Sequence, residues 1–332
     1  AYEVGVRLVG SEMCIRDSYL DWRVYGFFFS FIAVMFRAFY VSTTNTKILT
    51  ANSVVMVLTN VVLNYILIFG KFGFPALGIA GAAIASSISE AVSVLFFVIY
   101  TWKKIDYKKY GLFRFTRVDF RMLGQILSVS IWVMIQHGIA FGGWFIFFIA
   151  MEHLGERPLA ITNVVRSISS FLFMFVNAFA STNSSLVSNL IGAGESDRVL
   201  PLCRRMIGLC YAFVLPIGIL IAMFPSTVLR IYTDNPDLIA SSIPSLWVML
   251  SSYLFAVPGF IYFFSVSGTG NTRRALEIDM ASIFVYVLYI LYVAVWLRAD
   301  VAVCWTTEYV YNIMILSSFF YLWKGNWRNK KI

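Results

Sequence analysis

From Tyr19 to the C-terminus the chain alternates between long apolar runs and short polar breaks. Most runs reach about 20 residues, which a helix rising 1.5 Å per residue needs to cross roughly 30 Å of hydrocarbon. The pattern predicts helices at 23–41, 50–70, 77–101, 122–150, 159–190, 202–224, 237–266, 275–297 and 302–323. The breaks carry turn chemistry: Gly70 to Pro75, Gly155 to Pro158, Gly192-Ala193-Gly194, Asp234-Asn235-Pro236 and Gly268 to Asn271. The expected fold class is all-α integral membrane, a polytopic bundle of about nine transmembrane helices.

Composition agrees. Of 332 residues, 60% are hydrophobic and 13% charged, against about 45–50% and about 25% in soluble domains. A water-soluble fold of this size could not hide that much apolar surface, whereas lipid accepts it. The net charge of +9 would suggest nucleic acid in a soluble protein. Here the basic residues sit in short connections between apolar runs, and no stacking module or basic groove motif appears, so no nucleic-acid partner is expected. Cys14, Cys203, Cys210 and Cys304 form no CxxC pair and join no His cluster, so neither a disulfide framework nor a metal site is indicated.

Lysine and arginine fall unevenly on alternate connections. One set holds Lys47, the 103–121 cluster, Arg198, Arg204, Arg205, Arg273, Arg274 and the Lys324 to Lys331 tail, about 17 in all; the other holds Arg23, Lys71, Arg157, Arg230 and Arg298, about five. The rich set is expected in the cytosol, with the C-terminus, in a bacterial inner membrane.

Residues 1–18 differ in character from the rest of the chain. They are charged and lack the apolar core of a signal peptide, and the string SEMCIRDS resembles translated sequencing-adapter read-through. They are read as a non-native segment outside the fold, which would leave the natural N-terminus missing. The remaining expected divisions are three helices at 19–101, a cytoplasmic linker at 102–121, six helices at 122–324 and a basic cytoplasmic tail at 325–332. Thr43-Thr44-Asn45-Thr46-Lys47 recurs as Thr269-Gly270-Asn271-Thr272-Arg273, each copy between two spans on the same side. That is the mark of a parallel internal repeat, common in transporters.

Four stretches carry a family resemblance: Phe36-Arg37-Ala38-Phe39 with Thr43 to Lys47; Asn60 to Gly70 (NVVLNYILIFG); Phe72 to Ala85 (FGFPALGIAGAAIA); and Leu186 to Gly194 (LVSNLIGAG) with Ser267 to Thr272. They resemble the multidrug and toxic compound extrusion (MATE) transporters, within the larger group that includes lipid-linked oligosaccharide flippases. The resemblance implies a twelve-helix, two-lobe fold around a central cavity, in which this chain would begin at the fourth helix. It also implies alternating-access export of organic cations or amphipathic drugs in antiport with H+ or Na+, by a monomer without a cofactor. Lacking three helices, the 332 residues alone are not expected to transport.

Charged and polar groups inside spans are costly and mark pathways or buried pairs. Candidates for the substrate or ion pathway are Gln136, His137, Asn163, Arg166, Asn177 and Glu308; structural or gating candidates are Arg37, Asn64, Glu90 and Pro258. His137 is a possible proton carrier or a hydrogen-bonded residue between helices. Arg166, on the same face as Asn163, meets either substrate or a structural partner. Glu90 is read as bonding a neighbouring helix, Glu308 as either that or an ion site, and Glu277 and Asp279 as interfacial. The resemblance adds that many sodium-coupled members hold a Glu near the place of Gln136 and an Asp near that of Ala256, both absent here, so H+ is favoured over Na+. The 18 Tyr and 31 Phe suit cation–π contact with organic cations and, equally, contact with lipid.

Against the exporter stand a flippase, whose cavity would be strongly cationic, and a membrane-embedded enzyme, for which no HExxH, GxSxG or paired His/Asp site is found. The sidedness is directly testable. In a cysteine-free background, Lys108→Cys should react with a membrane-impermeant maleimide only after cells are opened; labelling of intact cells would reverse the assigned topology.

Overall fold

The computed structural model describes residues 2–43, 45–105, 119–325 and 327, with side chains from Tyr19 onward. Thr44, most of the 102–121 connection and most of the basic tail lie outside the described residues. The described chain is helical without strands. Its helices are α1 (Tyr2–Ser42), α2 (Lys47–Phe69), α3 (Gly78–Lys104), α4 (Phe120–Leu154), α5 (Glu156–Gly192), α6 (Val199–Met223), α7 (Pro225–Leu229), α8 (Pro236–Gly268), α9 (Thr272–Ile290), α10 (Val301–Cys304), α11 (Thr307–Leu316) and α12 (Ser318–Lys324). Two compact units divide it, Ala1–Arg117 and Val118–Ile332.

Among the described residues, eight helices are long and apolar enough to cross a bilayer. The ninth expected span, 302–323, is interrupted: it is α10, α11 and α12 in succession. Hydroxyl side chains explain the breaks. Thr306, Thr307 and Ser318 turn their Oγ atoms onto the carbonyls of Val303 (2.5 Å), Cys304 (2.6 Å) and Ile315 (2.7 Å). Such local bonds compete with the helical ladder, and the backbone there tightens to i→i+3 bonds, as in Tyr309 N to Thr306 O at 3.0 Å. At the end of α9 the ladder widens instead, over Leu291–Trp296, with Leu297 N bonded to Tyr292 O at 3.0 Å.

Turn residues work where the sequence places them. Gly70 ends α2 in the left-handed conformation, with φ 65° and its N–H on Ile66 O. Asn235 caps α8 by accepting from the N–H groups of Asp237 and Leu238, with Pro236 in the first turn.

In the first unit α3 packs along both α1 and α2. Tyr40 and Phe36 stack on Phe97, with centroids 5.6 and 5.5 Å apart, and the Tyr40 hydroxyl bonds Thr101 Oγ1 at 2.7 Å. Between α2 and α3, Asn52 donates to Ser93 Oγ at 2.8 Å; along α2, Asn64 donates to Asn60 Oδ1 at 2.8 Å. In the second unit the central pair is α5 with α8. The Asn183 amide donates to Ser265 Oγ at 2.7 Å beside Cys203, tying α5, α8 and α6 together. Pro258 lies inside α8 and cannot donate to the carbonyl of Leu254; the Tyr211 hydroxyl from α6 bonds that carbonyl at 2.5 Å.

The residue distribution runs opposite to that of a soluble protein. Phe31, Met35, Phe72, Phe141, Met223 and Trp296 are largely exposed, while Asn52, Ser93, Thr101, Asn183, Ser265 and Ser318 are buried. In lipid the helices gain nothing by hiding apolar side chains from one another, so close backbone approach and interhelical hydrogen bonds hold them together. Gly268 shows the approach: a Cβ there would stand 2.5 Å from Ser184 O on α5. Gly208 on α6 has open space at the same test. Gly268→Ala is therefore expected to destabilise the chain by about 2 kcal/mol, read as a lower thermal midpoint in detergent, while Gly208→Ala leaves it unchanged or slightly higher. Equal midpoints for the two variants would contradict the assigned packing of α5 on α8.

Candidate functional site

The polar groups inside the spans fall into three places. In the first unit, α1 and α3 meet through an ion pair, Arg23 Nη2 to Glu90 Oε1 at 2.6 Å, with side chains 22% and 14% exposed. This corrects the placing of Arg23 in an external loop. It lies within α1, in the apolar stretch that begins at Tyr19. Gly26 makes the pair possible, because a Cβ there would stand 2.6 Å from Glu90 Oε2 and 2.7 Å from Arg23 Nη1. Asn64 lies in the α2–α3 amide and hydroxyl network, through Asn60, and Arg37 is exposed on α1.

The second place is the outer face of α5. Its inner face, including Val165, Leu172, Val176, Ala180 and Asn183, is buried in the core of the second unit. Asn163, Arg166, Ser167, Ser170, Asn177 and Ser181 are exposed on the other side. The Arg166 guanidinium lies over the Phe148 ring, 4.6 Å from its centroid. Among the described residues no carboxylate forms a salt bridge with it. A polar strip along a membrane-length helix cannot face hydrocarbon without a large penalty, so it suits a wall turned toward water or protein.

The third place lies between α4, α9 and α11. Gln136, Ala140, Gly143 and Phe147 follow one another at helical spacing along one face of α4, and Asp279, Ile283 and Tyr286 do the same on α9. Gly143 lets the two helices close: a Cβ there would stand 3.2 Å from Ile283 Cγ2. Glu308 and Tyr311 come from α11. Ala140, Gly143, Trp144, Ile283, Tyr286, Glu308 and Tyr311 line a cavity of about 30 Å³, which is room for about one water molecule. The Tyr311 hydroxyl donates to Asp279 Oδ1 at 3.0 Å. The Tyr286 hydroxyl is buried beside the Glu308 carboxylate, and Gln136 Oε1 is buried without a hydrogen-bond partner. The two tyrosine rings lie 5.9 Å apart, backed by Phe147 and the fully buried Trp305.

Asp279 corrects the sequence reading, which places it at the interface. It is only 2% exposed, whereas its neighbour Glu277 lies outside with Arg273 and Arg274. The signal is the Asp279, Ile283, Tyr286 spacing, which puts the carboxylate on the buried face. Gln136 and His137 diverge: Gln136 is 9% exposed, while His137 is exposed and its Nδ1 bonds Val133 O at 2.9 Å. A carbonyl only accepts, so Nδ1 carries the hydrogen in that contact. Thus the structure places Glu308 on the cavity wall and Gln136 one helical turn before Ala140 on the same face of α4, puts Asn163, Arg166 and Asn177 on a separate strip, and leaves Pro258 within α8. A larger hollow of about 550 Å³ lies beside Asn271, Arg274, Glu277 and Tyr321. Its polar groups already pair, Asn271 with Tyr321 at 2.7 Å and Arg274 with Glu277 at 2.5 Å.

Comparison with known proteins covers the second unit most strongly. Residues 133–293 match the MatE family model. The chain is 29% identical over 239 residues to a probable multidrug resistance protein NorM of Thermotoga maritima, covering 71% of this chain and 50% of that protein. It is 26% identical over 255 residues to a probable multidrug resistance protein of Bacillus subtilis, covering 75% and 55%. The chain thus spans about half the length of the curated relatives it matches. Among solved structures, a Vibrio cholerae MATE transporter superposes with TM-score 0.82 at 16% identity, over 98% of this chain and 74% of that one. A MOP superfamily transporter from Pyrococcus furiosus, described by the reverse polarity of its binding pocket, superposes with TM-score 0.72 at 17% identity, over 83% and 61%. At these identities the structures support the fold.

The α1–α3 ion pair yields a stability test. Arg23→Leu or Glu90→Leu alone strands a charge in a poorly hydrated contact and should cost about 2 kcal/mol, while the double variant should recover most of the loss. Thermal midpoints in detergent report both. A double variant as unstable as the sum of the singles would show that the two side chains are not paired.

Proposed function

Because the chain belongs to the MATE family of membrane transporters, we propose that it works in secondary active efflux, exporting organic cations or amphipathic drugs by alternating access in antiport with H+ or Na+. The observation that carries this reading is the position of the family match: residues 133–293 take in most of α4, the polar strip of α5 and the cavity face of α9. A strip bearing Asn163, Arg166 and Asn177 along a membrane-length helix fits the wall of a translocation path. The abundant tyrosines and phenylalanines fit cation–π contact with organic cations. The α4–α9–α11 cavity fits the coupling ion, and H+ is favoured over Na+ because Gln136 and Ala256 offer no charge.

On this reading residues 19–101 are the second half of a first lobe and residues 122–324 a second lobe, joined by a cytoplasmic linker. The protein sits in the bacterial inner membrane as a monomer with its C-terminus in the cytosol, as the uneven spread of lysine and arginine supports. A second reading, lipid-linked oligosaccharide flippase, draws on one feature: Arg166 presents positive charge on the α5 strip without a carboxylate partner among the described residues, which favours an anionic ligand.

The test is efflux of a fluorescent organic cation from proteoliposomes, using the coding sequence read upstream to its first start codon. The dye should leave when a proton or sodium gradient is imposed, and stay when that gradient is collapsed. Arg166→Gln, which removes a charge of the same sign as the dye, should hold the rate within a few-fold. Efflux indifferent to both gradients removes the antiport reading; absence of dye efflux with retained movement of an anionic lipid analogue selects the flippase.

A further inference from the structure

Helix α9 begins where α12 ends: the Asn271 amide, just before α9, donates to the Tyr321 hydroxyl near the end of α12 at 2.7 Å. Beside that bond the two helices leave the hollow of about 550 Å³, well above the roughly 300 Å³ at which ligand pockets begin. Its lining is graded along the helices. Arg274, Tyr321 and Lys324 stand at the mouth, while Ile278 and Ala281 on α9 and Met314 on α11 stand deeper. Arg274 to Ala281 is about two helical turns, so charge gives way to an apolar wall over about 10 Å. Phe320 and Trp323, both largely exposed, place aromatic rings near the same mouth, as at a membrane surface.

The charges at the mouth do not cancel. Glu277 is the one acid in the lining among the described residues, and it is shared between Arg274 at 2.5 Å and Arg273 at 3.5 Å. Lys324 forms no salt bridge among the described residues. Two arginines and a lysine against one carboxylate leave a positive excess. The Tyr321 hydroxyl accepts from Asn271, so its own hydrogen remains to be donated. The sequence that follows, with Arg328, Lys330 and Lys331, is basic as well and offers the hollow no side-chain anion.

We propose that this hollow binds an anionic phospholipid of the cytoplasmic leaflet, with its phosphate held by Arg274, Lys324 and the Tyr321 hydroxyl and the start of one acyl chain lying on Ile278, Ala281 and Met314. The proposal goes beyond the transport reading and takes from it only the membrane sidedness. On that sidedness the mouth opens at the leaflet whose surface is negative, where basic pockets between spans suit acidic head groups. The guanidinium fork matches phosphate oxygens, and the lysine adds a point charge. A free phosphate offers the same charge but leaves the apolar depth of the groove uncovered, whereas a lipid meets both ends at once. A lipid held there bridges α9 and α12, and by linkage it stabilises the second unit.

Native mass spectrometry of the purified 332-residue chain in detergent, mixed with dioleoylphosphatidylglycerol or dioleoylphosphatidylcholine, tests this without any transport. The chain should retain one phosphatidylglycerol in preference to phosphatidylcholine. Each basic group at a membrane surface contributes roughly a fivefold gain in affinity for anionic lipid. Arg274→Gln/Lys324→Gln should therefore weaken phosphatidylglycerol binding by on the order of 25-fold and leave phosphatidylcholine binding as it was. Ala281→Trp, which fills the deep end with the charges intact, should weaken phosphatidylglycerol binding as well. Arg198→Gln/Arg205→Gln removes the same charge from around the start of α6 and should change neither. The substituted residues are all exposed, so the variants should fold like the parent, with equal thermal midpoints in the absence of lipid. A parent chain without the preference, an equal loss in the α6 pair, or full binding in Ala281→Trp would each overturn the proposal. Displacement of phosphatidylglycerol by inorganic phosphate at equal concentration would overturn it too, because the site would then be indifferent to the acyl chain. Lipid preference with this pattern of variants but without dye efflux would leave the lipid site standing and remove the transport reading. Dye efflux without any lipid preference would do the reverse.

Discussion

Hydrocarbon offers no hydrogen bonds, and most of this architecture comes from that. A polar side chain in a span must find its partner within the protein. Asn52 finds Ser93, Asn183 finds Ser265, and Tyr211 finds the carbonyl that Pro258 leaves open. Because apolar side chains gain nothing by facing one another, the helix contacts are made by small residues, and glycines at 26, 81, 259 and 268 stand where a Cβ would collide with the facing helix. Interhelical bonds of this kind contribute only about 0.6 kcal/mol each on average, so stability comes from their number and from close backbone contact rather than from any one of them.

The same constraint makes charge placement informative. Arg23 with Glu90 is a direct ion pair: each neutralises the other, Gly26 leaves no slack between the helices, and Arg23 Nη1 and Glu90 Oε2 are buried without further partners. Such a pair positions α1 against α3. The Asp279–Glu308 group is open. It has acceptors in excess, an unpartnered Gln136 oxygen and a small void beside Glu308. In the first case opposite charges meet directly, whereas in the second the acids are met only by hydroxyls and an amide, which is costly in a span.

Which of these features are legible in the sequence depends on whether they are one-dimensional. The eight long spans are legible because length and hydropathy are local properties, and the MATE resemblance is legible in stretches such as Phe72 to Ala85. The interruption of the ninth is not legible for the same reason. Its hydropathy is continuous, while its breaks come from Thr306, Thr307 and Ser318 diverting backbone carbonyls, which hydropathy does not register. Arg23 reads as a loop residue because it stands where polar sequence gives way to apolar. Its partner lies 67 residues away, and nothing in a single chain announces such a pairing. Asp279 reads as interfacial because Arg273, Arg274 and Glu277 precede it, yet a few residues of helix carry the side chain from an exposed face to a buried one.

Gln136 shows how the two kinds of information combine. By sequence it registers only as the absence of a charge, through the family resemblance. In the structure it is a buried amide whose oxygen is unsatisfied, one helical turn from Ala140 in the cavity wall. A neutral amide there adds no third negative charge beside Asp279 and Glu308, and so avoids a further like-charge repulsion where screening is poor. The lack of charge at residue 136 and the two acids on α9 and α11 are consistent parts of one arrangement, which limits the carboxylates of this cluster to two among the described residues.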